Sequence, residues 1–347
     1  MNPERRQALL ATKLRALAST LAGWDEGADA RPFPAGASFL CGSTGFLLVD
    51  ESRRERDPHE PATVRESPRG WLGGARIWAA RQKATRIHGL LDVVDGADAR
   101  RAALFSLAPT LWKIDGRSLT MVAASAPFAE APAPPVDVLA FAGIIEAAGA
   151  EAVVEHGELR AEVLGLEVGR VRVHDELGPI LEVGVGRHDR LANEMLHAGT
   201  DSEEVLRRAV EVVRERRTAT AGPHPANQLQ RERWLRSALC ARPGLGGFAA
   251  GELRPVSATV PMTLKRPGPA MALACRPDGT VHTVVACTVS LDLDAISFAA
   301  DARLTWAPDA ALVVCVPEGD DSHILHELAA ALAHPAEVRT VTNAWRE

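Results

Sequence analysis

From residue 72 onward, short apolar runs alternate with amphipathic segments, and this alternation constrains the fold more than any other feature. Residues 72–83 have helical spacing, 86–94 form a strand-like run, 97–105 are helical again and 110–115 strand-like. The order returns near the other end, with 294–304 and 324–332 helical and 311–316 and 337–341 strand-like. Helices interleaved with strands predict an α/β fold, with two mixed-sheet domains covered by helices. The two αβαβ blocks match in order. Aligning Asp95-Gly96-Ala97-Asp98 with Glu318-Gly319-Asp320-Asp321 leaves two readings open, a duplication or the ordinary likeness of α/β units.

The flanking segments complete the domains. Asn2-Pro3-Glu4 is a helix start, with a capping side chain, a first-turn proline and an early acid; Leu10, Leu14, Leu17 and Leu21 then share a face. Residues 39–50 read as a strand pair around Gly42-Ser43-Thr44-Gly45. The 51–70 stretch, rich in Arg, Glu, Asp and Pro, has no apolar period and is expected to be an exposed, mobile loop. The Pro- and Ala-rich 123–136 segment reads as a linker, which divides the chain into domains 1–122 and 137–347. The second domain opens with a helix at 138–148, followed by strand-like runs at 159–163, 168–173 and 180–185. A capped helix begins at Thr200-Asp201-Ser202, and further strand-like runs cover 256–264, 270–275 and 281–290.

Composition narrows the class. The chain has 347 residues and a net charge of −6, which is mildly acidic where nucleic-acid-binding domains are usually strongly basic. No stretch approaches the roughly 18 apolar residues of a membrane helix, and charges interrupt the apolar pattern of the first 24 residues, unlike a signal peptide. The expectation is a cytoplasmic protein with no membrane partner. Lysine occurs only at Lys13, Lys83, Lys113 and Lys265, against a Lys+Arg total of 39. That bias points to a GC-rich bacterial coding sequence. The five cysteines contain no CxxC pair, so Cys287 and Cys315, in apolar runs, read as small core residues and not metal ligands.

Several motifs are missing. There is no GxxxxGK[ST] and no GxGxxG after a strand. Gly42-Ser43-Thr44-Gly45 is not a nucleophile elbow. His326-Glu327 begins like a zinc helix, but the second histidine position holds Ala330. His323, His326, Glu327 and His334 then form the solvated face of a helix whose core face is Ile324, Leu325, Leu328, Ala331 and Leu332.

Two polar constellations stand out. Asp175 and Glu182 precede Gly184-Val185-Gly186-Arg187-His188-Asp189-Arg190, where glycines permit close backbone approach and Arg187, His188, Asp189 and Arg190 could form a phosphate or carboxylate pocket. The plain alternative has Asp189 pairing with Arg187 and capping a helix that starts near Leu191. The second constellation is His224 and Asn227 in a fixed turn, followed by Arg233, Trp234 and Arg236, residue types favoured at recognition sites. The plain alternative is an anchoring helix with solvated arginines.

In element order, the stretch from Val138 to Val341 resembles the PD-(D/E)XK restriction-endonuclease fold: a helix, three strands, Asp175, then a strand carrying Glu182. The resemblance implies Mg²⁺ held by Asp175 and Glu182, with a lysine two residues later. That lysine position is Gly184. In the C-terminal stretch Asp278 matches the first acid, but Ala286 and Thr288 occupy the other two positions. The resemblance therefore implies a degenerate, non-cleaving core, a binding or scaffold protein with a protein or nucleic-acid partner and no cofactor. The alternatives are a Mg²⁺-dependent nuclease using Asp175 and Glu182, with His188 as a further catalytic candidate only where the chain folds back, and a small-molecule enzyme with a pocket at residues 187–189.

Overall fold

The computed structural model describes residues 2–50, 68–186, 189–190, 201–220, 224–261 and 268–347. Most of the 51–70 loop, together with Arg187 and His188, lies outside them. The chain folds as α/β, with three sheets among the described residues.

The contacts divide the chain into two compact units. Unit 1 opens with α1 (Pro3–Ala18), whose first amide Asn2 caps, followed by β1 (Asp29–Arg31), β2 (Gly36–Cys41) and β3 (Thr44–Val49). Next come α2 (Trp71–Gln82), β4 (Arg86–Leu91), α3 (Gly96–Ala103), β5 (Thr110–Asp115) and β6 (Ser118–Met121). The six strands pair in chain order. Successive pairings are antiparallel except β3–β4 and β4–β5, which are parallel and so need the crossover helices α2 and α3. Leu14 and Leu17 of α1 pack on Phe39, Phe46, Leu48 and Leu90. Against α2 the sheet carries glycines where tryptophans press in: a Cβ on Gly45 would sit 2.5 Å from the Trp78 ring, and one on Gly89 3.3 Å from Trp71.

Unit 2 begins at Phe128, inside the expected linker, and holds two sheets. After α4 (Val136–Leu139) and α5 (Phe141–Ala147) comes an antiparallel meander: β7 (Glu151–Glu155), β8 (Glu158–Val163), β9 (Leu166–His174) and β10 (Gly178–Val183). Its apolar face, including Leu159, Ala161, Val168, Val171 and Leu181, packs on Val138, Ile145 and Leu206, Val210 and Val213 of α6 (Ser202–Arg216). Helix α7 (Arg231–Ala241) follows, then β11 (Leu253–Val256), β12 (Ala270–Cys275) and β13 (Val281–Cys287). With β14 (Ala311–Pro317) and β15 (Glu337–Val341) these form a mixed five-stranded sheet. Val313, Val314 and Cys315 are buried on successive positions of β14, so both faces of that strand are covered.

The expected contiguous 137–347 domain needs correction. The last third of the chain is shared: helix α8 (Ala295–Trp306), up to Leu304, and helix α9 (His323–Ala330) belong to unit 1, and strands β13 and β14 to unit 2. Sequence pattern located α8, β14, α9 and β15 but not their partners, because a βαβα run assigns helices and strands locally; the strand expected at 256–264 is instead β11, Leu253–Val256. The middle sheet is also wholly antiparallel, and its first strand, β7, carries glutamates at both ends and so lacks an apolar run.

Candidate functional site

The meander has a second face, and it is charged. Glu155 of β7, Glu158, Arg160 and Glu162 of β8, Glu167 and Arg170 of β9 and Glu182 of β10 all lie on it. A bulge makes this possible. The β8–β9 register runs Ala161↔Gly169 and then Glu162↔Glu167, so β9 carries one extra residue. Glu167 and Arg170, three positions apart, thereby share a face and hydrogen-bond at 2.8 Å.

Helix α7 lays Arg233 and Arg236, one turn apart, onto this face. Each guanidinium bridges both Glu155 and Glu162, and each carboxylate accepts from both arginines. Arg233 donates to Glu162 at 2.8 Å and Arg236 at 3.0 Å, and both donate to Glu155 at shorter range. All four side chains are at most 2% exposed. Burial alone would raise the Glu155 pKa, but Arg236, Arg233 and Arg160 outweigh it and hold the carboxyl at about 2. Burial pushes Glu162 up, with Glu155 and Glu151 as neighbouring anions. Arg160 extends the network to Glu158 (3.1 Å) and Glu167 (3.6 Å).

The sequence candidates sit around this box. Trp234 turns to the opposite side of α7, into the core of the five-stranded sheet, edge-on to Trp345 with centroids 5.1 Å apart. The Arg217 guanidinium covers its ring at 4.5 Å. Arg233, Trp234 and Arg236 are therefore interior residues and no recognition surface: Trp234 anchors the helix as the plain alternative had it, but the arginines expected in solvent are buried. The signal for the box was present as alternation in β8, Glu158-x-Arg160-x-Glu162. Alternating charge on a strand ordinarily marks a wet face, and nothing local announces that a helix some 70 residues later covers it.

His224 caps a single 3-10 turn, its Nδ1 accepting from Ala226 N at 3.2 Å, and its carbonyl accepts from Asn227 N at 2.9 Å. Asp189 accepts from Val185 N at 2.7 Å, closing the turn after β10. Arg190 reaches Glu167 at 3.1 Å and Glu182 at 3.5 Å. Burial lowers the pKa of its guanidinium. Gly184, at φ +145°, lets this segment double back: a Cβ there would stand 2.6 Å from Arg190 N. The position where the nuclease pattern has lysine is thus one that this turn leaves only to glycine.

Asp175 lies exposed in the β9–β10 turn. Glu182 pairs across the ladder with Arg170, five residues back along β9 from Asp175, a separation of roughly 16 Å at 3.3 Å per residue. The two carboxylates do not converge, and Glu182 already faces Arg190 and His174. The pair does not fit a shared Mg²⁺. Among the described residues no group of three or more His, Cys, Asp or Glu side chains is placed to hold a metal.

One string that sequence reading missed joins Thr283 Oγ1 to His282 Nδ1 (2.9 Å) and His282 Nε2 to Glu252 Oε1 (2.5 Å). Its hydroxyl is buried within β13, so it offers no nucleophile to a substrate.

On the apolar face, Val171 and Leu181 pair and are buried, and Val173 and Pro179 pair next on the same face. The helices stop short of them. Val173 is 63% exposed and Leu177, in the turn, 74%. Helix α4, which packs on β9, leaves Val136 84% exposed.

Compared with protein-family models, with curated proteins and with solved structures, the chain matches none.

Proposed function

We propose that the protein is a non-catalytic binding module that recruits a protein partner through the uncovered apolar strip of the β9–β10 hairpin. The observation that carries this reading is the continuation of the meander's core face past its helices, from Val171 and Leu181 to exposed Val173 and Leu177. Contiguous exposed apolar patches on a protein surface mark interaction sites. The charged residues support the same reading. A general acid or base needs a shifted pKa at an accessible position, whereas Glu155 and Glu162 are sealed behind arginines. None of Cys41, Cys240, Cys275, Cys287 and Cys315 forms a disulfide, in keeping with a cytoplasmic setting.

The test places a photo-crosslinking amino acid at Leu177 in cells, with exposed Arg117 as control. A discrete protein adduct at Leu177, absent at Arg117 and lost with Val173→Asp, is the expected result. Plasmid, single-stranded DNA and RNA incubated with the protein in Mg²⁺ or Mn²⁺ should stay intact. No adduct at Leu177, or cleavage that disappears in Glu182→Ala, overturns the proposal.

A further inference from the structure

Although α2 and α8 begin 224 residues apart and β4 and β14 begin 225 apart, one offset of 227 residues relates the later halves of the two αβαβ segments. It carries α3 (Gly96–Ala103) onto α9 (His323–Ala330), and Thr110, the first residue of β5, onto Glu337, the first of β15. The capping residues correspond as well: Asp95 caps α3 and Ser322 caps α9. The acidic turn 318–321 is therefore not the counterpart of 95–98. It is a separate 3-10 turn that precedes the cap. The strands agree too. In order β1 to β4 the pairings run antiparallel, antiparallel, parallel, and in order β11 to β14 they do the same.

The same offset governs hydrogen bonds. Ser106 N donates to Ala331 O at 2.9 Å, and Ala333 N donates to Leu104 O at 2.9 Å. Each bond is the image of the other under the offset, and between them Phe105 and Leu332 form an isolated antiparallel bridge. Just beyond, Arg76 donates to Leu107 O and Arg303 to His334 O, both at 2.9 Å. Arg303 stands 227 after Arg76, and His334 stands 227 after Leu107. Both arginines are buried. Over residues 71–115 and 298–342 every other identity in this frame is alanine. Residue i touching j while the image of i touches the image of j is the signature of an isologous contact about a local two-fold axis.

We infer that the chain carries two copies of one αβαβ unit, and that the strap 104–107 is a self-complementary docking surface whose partner is a second copy of the unit, supplied here by 331–334. In each copy the buried arginine is a positioning residue: it holds the carbonyl that follows the exchanged strand residue, so that the strap presents its backbone to its twin. This surface is separate from the β9–β10 strip and does not depend on it.

The full-length protein tests this. Phe105 and Leu332 occupy a non-hydrogen-bonded antiparallel pair, for which Cα atoms lie about 4.5 Å apart, within disulfide range. Phe105→Cys with Leu332→Cys should form an intramolecular crosslink on mild oxidation, with either single variant as control. Self-complementarity is tested by two grafts: Leu-Phe-Ser-Leu of 104–107 placed at 331–334, and Ala-Leu-Ala-His of 331–334 placed at 104–107. At least one graft should melt cooperatively within about 5 °C of the parent. Arg76→Leu and Arg303→Leu should lower Tm by amounts within a factor of two of each other. Absence of the crosslink in folded protein, or loss of cooperative melting in both grafts, overturns the inference.

Discussion

Two glutamates and two arginines, each touching both of the others, form a buried box inside unit 2, with Arg160 also donating to Glu155 at 3.3 Å. Removing one member leaves an uncompensated buried charge, which costs about 3–5 kcal/mol, whereas replacing an entire buried set by apolar side chains is often neutral. Arg233→Met or Glu155→Gln should therefore lower the free energy of urea unfolding by about 3–5 kcal/mol at pH 7. The quadruple change to Leu at 155 and 162 and Met at 233 and 236 should recover most of that. A single variant costing under 1 kcal/mol would show that the box contributes nothing. The box also sets an acid limit. Glu155 is held at about 2 in the fold, below its ordinary 4.5. Its stabilisation is full above pH 4.5 and is lost as pH falls from there towards 2, while Glu162, pushed up by burial, works in the opposite sense. Urea titrations across that window check the slope, which Glu155→Gln should flatten.

Helix α2 starts at Gly70, which has no side chain to cap it, and Asp294 supplies the acceptor from 224 residues away, taking Gly70 N at 2.6 Å. Burial, with Asp292 nearby, pushes the Asp294 carboxyl up to about 6 from an ordinary 3.8. The fold therefore holds this proton more tightly than the unfolded chain does. Stability from this group is full below about pH 4 and falls as pH rises to about 6, by about 3 kcal/mol. Asp294→Asn keeps the acceptor, so it should melt higher than the parent at pH 7.5 and level with it at pH 4. In the five-stranded sheet, Val314→Asp should unfold the protein, since an unpaired buried charge costs several kcal/mol against a margin of 5–15. A cooperative melt of that variant would place β14 elsewhere. These elements show what was legible. The helix at Asn2, the turn at Gly42, the buried run at Val313–Cys315 and the cap at Asp201 were read from local chemistry and are present. Strands β1, β6 and β7, short or polar, were not, because their pairing and not their composition makes them strands. Of the site, the contact of Asp189 with Val185 N was not read, and the expected Arg187 pair and helix start near Leu191 lie outside the described residues; the Glu155–Arg233 box and the exposed Val173–Leu177 strip depend on which helix covers which face.

For the molecule as a whole, the expected linker is free only in its middle. Ser125 bonds Gly96 and Arg100, and Phe128 stacks edge-on against His156, which leaves 129–133 mostly exposed. Limited proteolysis should cut there before it cuts anywhere in 311–332, and mass spectrometry of the first fragments decides. The sharing of the last third between units has a consequence in time. Arg100 is complete only when Asp301 binds it at 2.7 and 3.0 Å, and unit 1 closes only with 291–304 and 322–337. At 5–20 residues per second, a ribosome takes about ten to thirty seconds to travel from the end of 1–127 to the first of those segments. Through that interval the nascent N-terminal sheet waits half-dressed, its arginine without a counter-ion. The protein is thereby committed to closing its first unit late, after most of the chain has left the ribosome.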